Sequence, residues 1–308
     1  MTRGPDRSNS SGRTSQVGVG KLDAWTEFWF APASPRRANQ IRRVAAVGFL
    51  FYLLSMLPDL LAFCGPHGML PTETVKRVTT NFGQNTSLRV SWLLLSESPI
   101  LLIGTWLLAV LSATGLVLHW RTRFTAPLCF LLALTFVHRL PMVTGPFEWV
   151  LTSLLLYVCF AHSVEERSWS SGLVGRLCQV HLTALYITIG LSQLSAPTWW
   201  EGDATWWLIA NTEARVIDLS FLGSATPGLF LVNALTHSLV AITLAFPILI
   251  WTTKHQRLLL KIIAAYWITV FLITGWTGYC GLVLAATWVC FDDGRSQEPG
   301  VDSAETKR

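Results

Sequence analysis

Residues 41–63 read IRRVAAVGFLFYLLSMLPDLLAF, and this stretch decides the class of fold to which the chain belongs. A helix that crosses about 30 Å of hydrocarbon needs about 20 mostly apolar residues, and this stretch supplies them. A soluble domain rarely contains so long an apolar run. We therefore expect an all-α protein that is embedded in a membrane.

The composition of the whole chain agrees with this reading. Of its 308 residues, 51% are hydrophobic and only 13% are charged, whereas soluble domains average about 25% charged residues. The net charge of +5 is spread along the chain without a long basic tract. We therefore expect membrane lipids as partners, no nucleic acid, and a role for the basic residues in setting topology.

Seven further stretches resemble the first one in length and apolar character. They cover residues 98–119, 124–140, 146–163, 174–195, 228–251, 258–274 and 276–291. The sequence thus predicts a polytopic transmembrane helical bundle with about eight spanning helices. The range is six to eight, because 124–140 is short and a Gly-rich turn joins the last two stretches.

The positions of the basic residues predict the orientation. If eight helices alternate, the clusters at 36–43, 121–123, 167–176 and 254–261 all fall on one side. The positive-inside rule makes that side the cytoplasm, so we expect a multi-pass cell-membrane protein with both termini cytoplasmic. We expect disordered tails at 1–20 and 292–308, which flank a transmembrane domain over 21–291.

The cysteine and histidine patterns predict no metal site. The six cysteines form no CxxC pair, and His181 and His237 lack the spacing of metal ligands. Cys64 and Cys280 both fall near the ends of spanning stretches, so a disulfide between them stays open as an alternative to free thiols.

Ionisable residues inside membrane segments are costly and therefore suggest functional sites. Asp59 lies late in the first stretch, where it is a candidate pocket residue or a cap near the interface. His138 and Arg139 end the third stretch, and Glu148 opens the fourth. These three define either a polar pocket at the outer face or an ordinary Arg139–Glu148 salt bridge with interfacial snorkelling.

A second polar group follows the fifth stretch, where residues 184–211 read ALYITIGLSQLSAPTWWEGDATWWLIAN. Ser192 and Gln193 form a polar pair near the outer face, and Trp200 and Glu201 follow in a turn. These four residues are further candidates for a pocket. The alternative is a Trp-rich re-entry of the chain into the membrane interface.

This stretch resembles the HTTM domain, the transmembrane domain shared with vitamin K-dependent γ-glutamyl carboxylases. The residues that carry the resemblance are Tyr186, Gly190, Gln193, Leu194, Trp199 or Trp200, Gly202 and Ala204. Two further matches lie in family order, Asp59-Leu60 with Gly65–Pro71, and His138-Arg139 with Gly145 and Glu148. Together the matches cover nearly the whole chain.

The resemblance implies an amphiphile site near the outer face, for a lipid or a quinone-type cofactor. In the carboxylases, the position that matches Gln193 is a lysine thought to deprotonate reduced vitamin K. A glutamine amide cannot accept a proton at neutral pH, and the 308 residues contain no large extracytoplasmic region. We therefore expect an inactive carboxylase relative. The first alternative is a non-catalytic membrane assembly protein, and the second is a small-solute transporter.

The replacement of the lysine by Gln193 gives a first prediction. The purified protein should incorporate no CO₂ into a glutamate-containing peptide when reduced vitamin K is supplied, because the site has no base. Measurement of labelled CO₂ incorporation tests this, with an active carboxylase assayed in parallel. Vitamin K-dependent incorporation above the peptide-free background would overturn the expectation.

Overall fold

The structure is a computed structural model of the chain. It describes residues 23–81, 91–161, 167–211, 216–224, 226–252 and 254–292. The predicted tail at 1–20, and that at 292–308 apart from Asp292, lie outside the described residues.

The described residues form helices and the turns that join them. A short helix, α1, covers residues 23–30. The longer helices are α2 (Pro35–Met56), α5 (Pro99–Val117), α6 (Thr122–Arg139), α7 (Pro146–Cys159), α8 (Trp169–Ser195), α11 (Thr226–Thr252), α12 (Gln256–Thr274) and α13 (Thr277–Phe291). The shorter helices are α3 (Leu60–Cys64), α4 (Thr72–Asn81), α9 (Pro197–Glu201) and α10 (Ala204–Ala210). The predicted all-α class is confirmed.

Each of the eight predicted stretches coincides with a helix, but not every helix has the length and hydropathy of a span. In the described part of the chain, five helical segments are long and apolar enough to cross a membrane: Pro35–Cys64, Pro99–Val117, Trp169–Ser195, Thr226–Thr252 and Gln256–Thr274. The helices α7 and α13 are apolar but shorter. The predicted count of about eight spans therefore stays a prediction.

Serine caps explain why two helices begin earlier than their apolar runs. Helix α2 begins at Pro35 rather than at 41, and the Ser34 hydroxyl accepts a hydrogen bond from Arg36 N at 3.4 Å. Helix α8 begins at Trp169 rather than at 174, with Ser168 Oγ accepting from Ser171 N at 3.3 Å. A serine at the N-cap satisfies an otherwise unpaired amide, so the helix extends beyond its apolar part.

Helix α2 lies at the centre of the bundle. It packs against α5, α7, α8 and α13, and its inward residues Ala45, Ala46, Phe49 and Leu53 are completely buried. Small side chains at two successive positions let neighbouring helices approach closely, which is the main source of attraction between helices in lipid.

The outer surface of the bundle is apolar. Leu111 on α5, Leu131 on α6 and Ile248 on α11 are all more than half exposed. A soluble protein rarely presents such continuous apolar surface to water, whereas hydrocarbon solvates it at no cost. The exterior is compatible with an integral membrane protein.

Two buried hydroxyl groups of α5 bond within their own helix. Thr105 donates to Leu101 O at 2.8 Å, and Ser112 donates to Leu108 O at 2.7 Å. In this i to i−4 pattern the carbonyl one turn earlier accepts the hydroxyl hydrogen, so the side chain needs no water and no partner from another helix.

Helices α8 and α11 pack closely at Gly190. A Cβ atom at Gly190 would lie 2.5 Å from Leu244 Cδ2 and 3.5 Å from Thr243 Oγ1. Helices α8 and α11 can therefore approach this closely only because residue 190 has no side chain.

Gly190→Leu should lower the free energy of unfolding by about 1–3 kcal/mol, because the new side chain overpacks the contact. Denaturant unfolding in detergent micelles measures the change. Gly104→Leu is the matched control, since a Cβ there meets nothing within 4 Å. Equal stability of the two variants would contradict the close approach of α8 and α11.

Candidate functional site

Gln193 is buried near the end of α8 and joins three helices. Its Oε1 accepts a hydrogen bond from Thr243 Oγ1 on α11 at 2.8 Å, and its side chain also shares a hydrogen bond with Tyr266 on α12. The side chain is 6% exposed. The Gln193 side chain is therefore engaged by residues of α11 and α12.

The other residues of this outer group are more exposed than Gln193. Ser192 Oγ donates to Ile189 O at 2.8 Å, so its hydroxyl bonds within α8. Trp200 is 65% exposed and donates from Nε1 to Leu194 O at 2.6 Å. The Glu201 backbone oxygen accepts from Asn233 Nδ2 at 3.2 Å, and its side chain is exposed.

Asp203 was not among the candidates for the pocket, and it holds the short α10 in place. Its Oδ2 accepts a hydrogen bond from Trp207 Nε1 at 3.1 Å, while its side chain does not cap the helix. The preceding Gly202 has φ +81°, and a Cβ there would collide with Asn233 Nδ2. The sequence signal for this turn is the Gly202-Asp203 pair.

Arg139 is a buried clamp for the turn that follows α3. It is 1% exposed, and its Nη2 donates to Cys64 O at 3.3 Å and to Leu70 O at 2.7 Å. A guanidinium that donates to two carbonyls stabilises backbone oxygens that the turn leaves without amide partners.

Glu148 has a different role from the ion pair that the sequence suggested. Its Oε2 accepts from the amide of Gly145 at 2.8 Å, three residues earlier at the start of α7. Arg139 donates to Cys64 and Leu70 instead. The predicted Arg139–Glu148 salt bridge is therefore wrong, because nearby backbone groups provide each side chain with a partner.

Asp59 and His138 lie at helix ends. Asp59 is exposed, at the end of the 3-10 turn Leu57–Asp59, and makes no capping hydrogen bond to α3. His138 is partly buried in the last turn of α6. The eight predicted pocket residues thus range from the exposed Asp59 to the buried Arg139.

Glu97 is a charged residue near Arg139 that the sequence reading did not select. It accepts hydrogen bonds from Thr72, one of them from the backbone N at 3.0 Å. These two bonds, followed by the positive charges of Arg139 and Lys76, lower the pKa of the Glu97 carboxyl. In the sequence, Glu97 could have been noticed as a single carboxylate between two serines, directly ahead of Pro99.

An apolar groove of about 430 Å³ lies on the surface of the bundle between α2 and α13. Its lining consists of Arg43, Val44, Val47, Gly48, Phe51, Phe147, Thr277, Gly278, Gly281, Leu282 and Ala285. All but Arg43 and Thr277 are apolar or glycine. The groove is therefore suited to a hydrocarbon chain rather than to a polar solute.

Glycines make the groove. A Cβ at Gly278 would lie 2.8 Å from Phe51 Cε1, and one at Gly48 would lie 2.9 Å from Leu282 Cδ1. A Cβ at Gly281 would meet nothing within 4 Å, so residue 281 faces the open space itself. Because Gly48 faces Leu282 and Phe51 faces Gly278, the two helices run antiparallel along the groove.

The two ends of the groove differ in charge. Phe51 and Phe147 close one end, with their ring centroids 6.2 Å apart. Arg43 lies at the other end and is exposed. Along α2 it is about 12 Å from Phe51, at about 1.5 Å per residue. We call this second end, with Arg42, Arg43 and His119, the basic end of the bundle.

Arg42 and His119 define the electrostatics of the basic end. The buried Arg42 donates from Nη1 to Leu116 O, in the last turn of α5, where a helix leaves carbonyls unpaired. Burial lowers the pKa of His119, and the charges of Arg42 and Arg43 lower it further. The arginines therefore provide the positive charge of the basic end.

The described residues contain no group of three or more His, Cys, Asp or Glu side chains arranged to hold a metal ion. Comparison of the chain with protein-family models, with curated proteins and with solved structures finds no match. The geometry of the chain itself therefore carries the functional argument.

The Arg139 clamp gives a prediction for stability. Arg139→Met should lower the free energy of unfolding by about 1–3 kcal/mol, because the carbonyls of Cys64 and Leu70 lose their donor. Chemical denaturation in detergent measures it. Arg77→Met is the control, since its ion pair with Glu73 is exposed and should be worth less than about 1 kcal/mol. Equal losses in the two variants would contradict the clamp.

Proposed function

We propose that this chain is an integral membrane protein that binds one phospholipid with an anionic headgroup in the groove between α2 and α13. We further propose that it is a relative of the HTTM domain that lacks carboxylase activity. The observation that carries the first proposal is the apolar groove with Arg43 at one end.

The shape of the groove favours an acyl chain. Its volume of about 430 Å³ falls within the range of roughly 300–1,000 Å³ found for small-molecule sites. Apart from Arg43 and the hydroxyl of Thr277, its lining offers no polar side chain to a ligand. A polar solute would lose its hydration there without gaining partners.

Charge decides which amphiphile fits. Arg43 makes no hydrogen bond with another described residue, so its guanidinium is available to a phosphate. The positive-inside rule places Arg43 at the cytoplasmic surface, where anionic lipids concentrate. The proposed ligand is therefore a phospholipid of the inner leaflet. This differs from the outer-face site that the sequence led us to expect.

The engagement of Gln193 supports the absence of carboxylase chemistry. Its amide cannot act as a base, and it is already bonded to Thr243 and Tyr266. A polar side chain that is satisfied by three helices stabilises their packing. Under this proposal Gln193 holds the bundle together.

Gly281→Leu should lower the occupancy of the bound phospholipid at least about tenfold, which corresponds to ~1.4 kcal/mol. The leucine side chain fills the space that residue 281 faces. Native mass spectrometry after reconstitution with equal amounts of phosphatidylglycerol and phosphatidylcholine measures the occupancy. Gly104→Leu is the control, because that glycine is equally open and lies outside the groove lining.

Arg43→Gln tests the headgroup separately in the same experiment. It should remove the preference for phosphatidylglycerol while leaving one lipid bound, because the apolar lining is unchanged. Equal lipid occupancy in the Gly281→Leu and Gly104→Leu proteins would overturn the groove as the site. A bound quinone in place of a phospholipid would overturn the choice of ligand.

A further inference from the structure

Two buried cysteines meet between α8 and α13. Cys178 and Cys290 are both completely buried, and their Sγ atoms lie 2.8 Å apart. Both are free thiols in this structure, as are the other four cysteines, including Cys64 and Cys280. The chain therefore brings together a pair of thiols that are 112 residues apart in sequence.

Further hydrogen bonds fix the register of the two helices around the thiols. Gln179 Nε2, beside Cys178 in α8, donates to the backbone oxygen of Cys290 at 2.8 Å. Further along, Tyr186 OH and Thr287 Oγ1 are 3.0 Å apart. Because these contacts are independent of sulfur, the facing of the two cysteines follows from the packing of α8 and α13.

Positive charge lies beside the pair. The Arg37 side chain packs over Gly175, where a Cβ atom would lie 3.2 Å from Arg37 Cδ. Arg176 Nη1 donates to Gln179 Oε1 at 3.1 Å. Two arginine side chains therefore flank the turn of α8 that carries Cys178.

We propose that Cys178 and Cys290 are a redox-active pair that a lipid-soluble quinone converts into a disulfide between α8 and α13. The two S–H bonds break and one S–S bond forms. The two protons and two electrons pass to the quinone, which leaves as the hydroquinone. We name a lipid-soluble quinone as the oxidant because the pair lies inside an apolar bundle, from which a charged oxidant is excluded.

The disulfide would attach the end of α13 to α8. The face of α13 that carries Thr287 and Cys290 packs on α8, whereas Gly278 and Gly281 line the groove. Oxidation therefore cross-links one face of α13 and leaves its groove face unmodified. Bridging distant residues restricts the unfolded chain, so the oxidised protein should be the more stable form.

The test uses the wild-type chain in proteoliposomes and a fully substituted short-chain quinone, which does not add to thiols. After treatment, the protein is denatured, alkylated with N-ethylmaleimide and analysed by mass spectrometry. We expect a peptide cross-linked through Cys178 and Cys290, the loss of about two alkylation sites, and reversal by dithiothreitol. Absorbance at the hydroquinone band should rise in proportion to the bond formed.

Cys129 and Cys159 serve as internal controls in the same sample. They lie on α6 and α7, outside the contact between α8 and α13, and Cys159 Sγ donates to Leu155 O, so both should stay fully alkylated. Cys178→Ser should abolish both the cross-link and the hydroquinone signal. Full alkylation of Cys178 and Cys290 after quinone treatment would overturn the proposal, and so would cross-links to Cys129 or Cys159 in equal amounts.

Discussion

The structure depends on one constraint, that polar groups away from water must find partners inside the protein. Helices satisfy their own backbone amides, and the hydroxyls of Thr105 and Ser112 return to carbonyls of their own helix. Where a helix ends, a side chain supplies the missing donor. Arg42 does so at the end of α5, and Arg139 does so in the turn after α3.

The same constraint explains why polar residues that suggest a site have structural roles. Arg139, Glu148 and Gln193 all have partners, in a turn, at a helix start and between three helices respectively. A buried polar side chain that has partners on other elements adds rigidity and specificity to the packing. The groove between α2 and α13 instead keeps Arg43 available at its basic end, and for this reason it is the better candidate for binding.

The helices could be predicted from the sequence because the length and hydropathy of a spanning segment are local properties. Helix starts were less accurate at α2 and α8, since the capping residues Ser34 and Ser168 lie outside the apolar runs. The groove could not be predicted, because Arg43 and Gly281 come to line the same space only through the packing of α2 on α13. The same holds for Cys178 and Cys290, which no spacing in the sequence connects.

The turn between α12 and α13 sets how far the two helices can extend side by side. Gly275, with φ 70°, ends α12 at Thr274, and α13 begins at Thr277. With 15 residues, α13 is about 22 Å long at about 1.5 Å per residue, less than the ~30 Å of hydrocarbon. Because so short a connection keeps α13 beside its longer neighbour, the two helices form a hairpin whose second arm ends about a quarter of that thickness short.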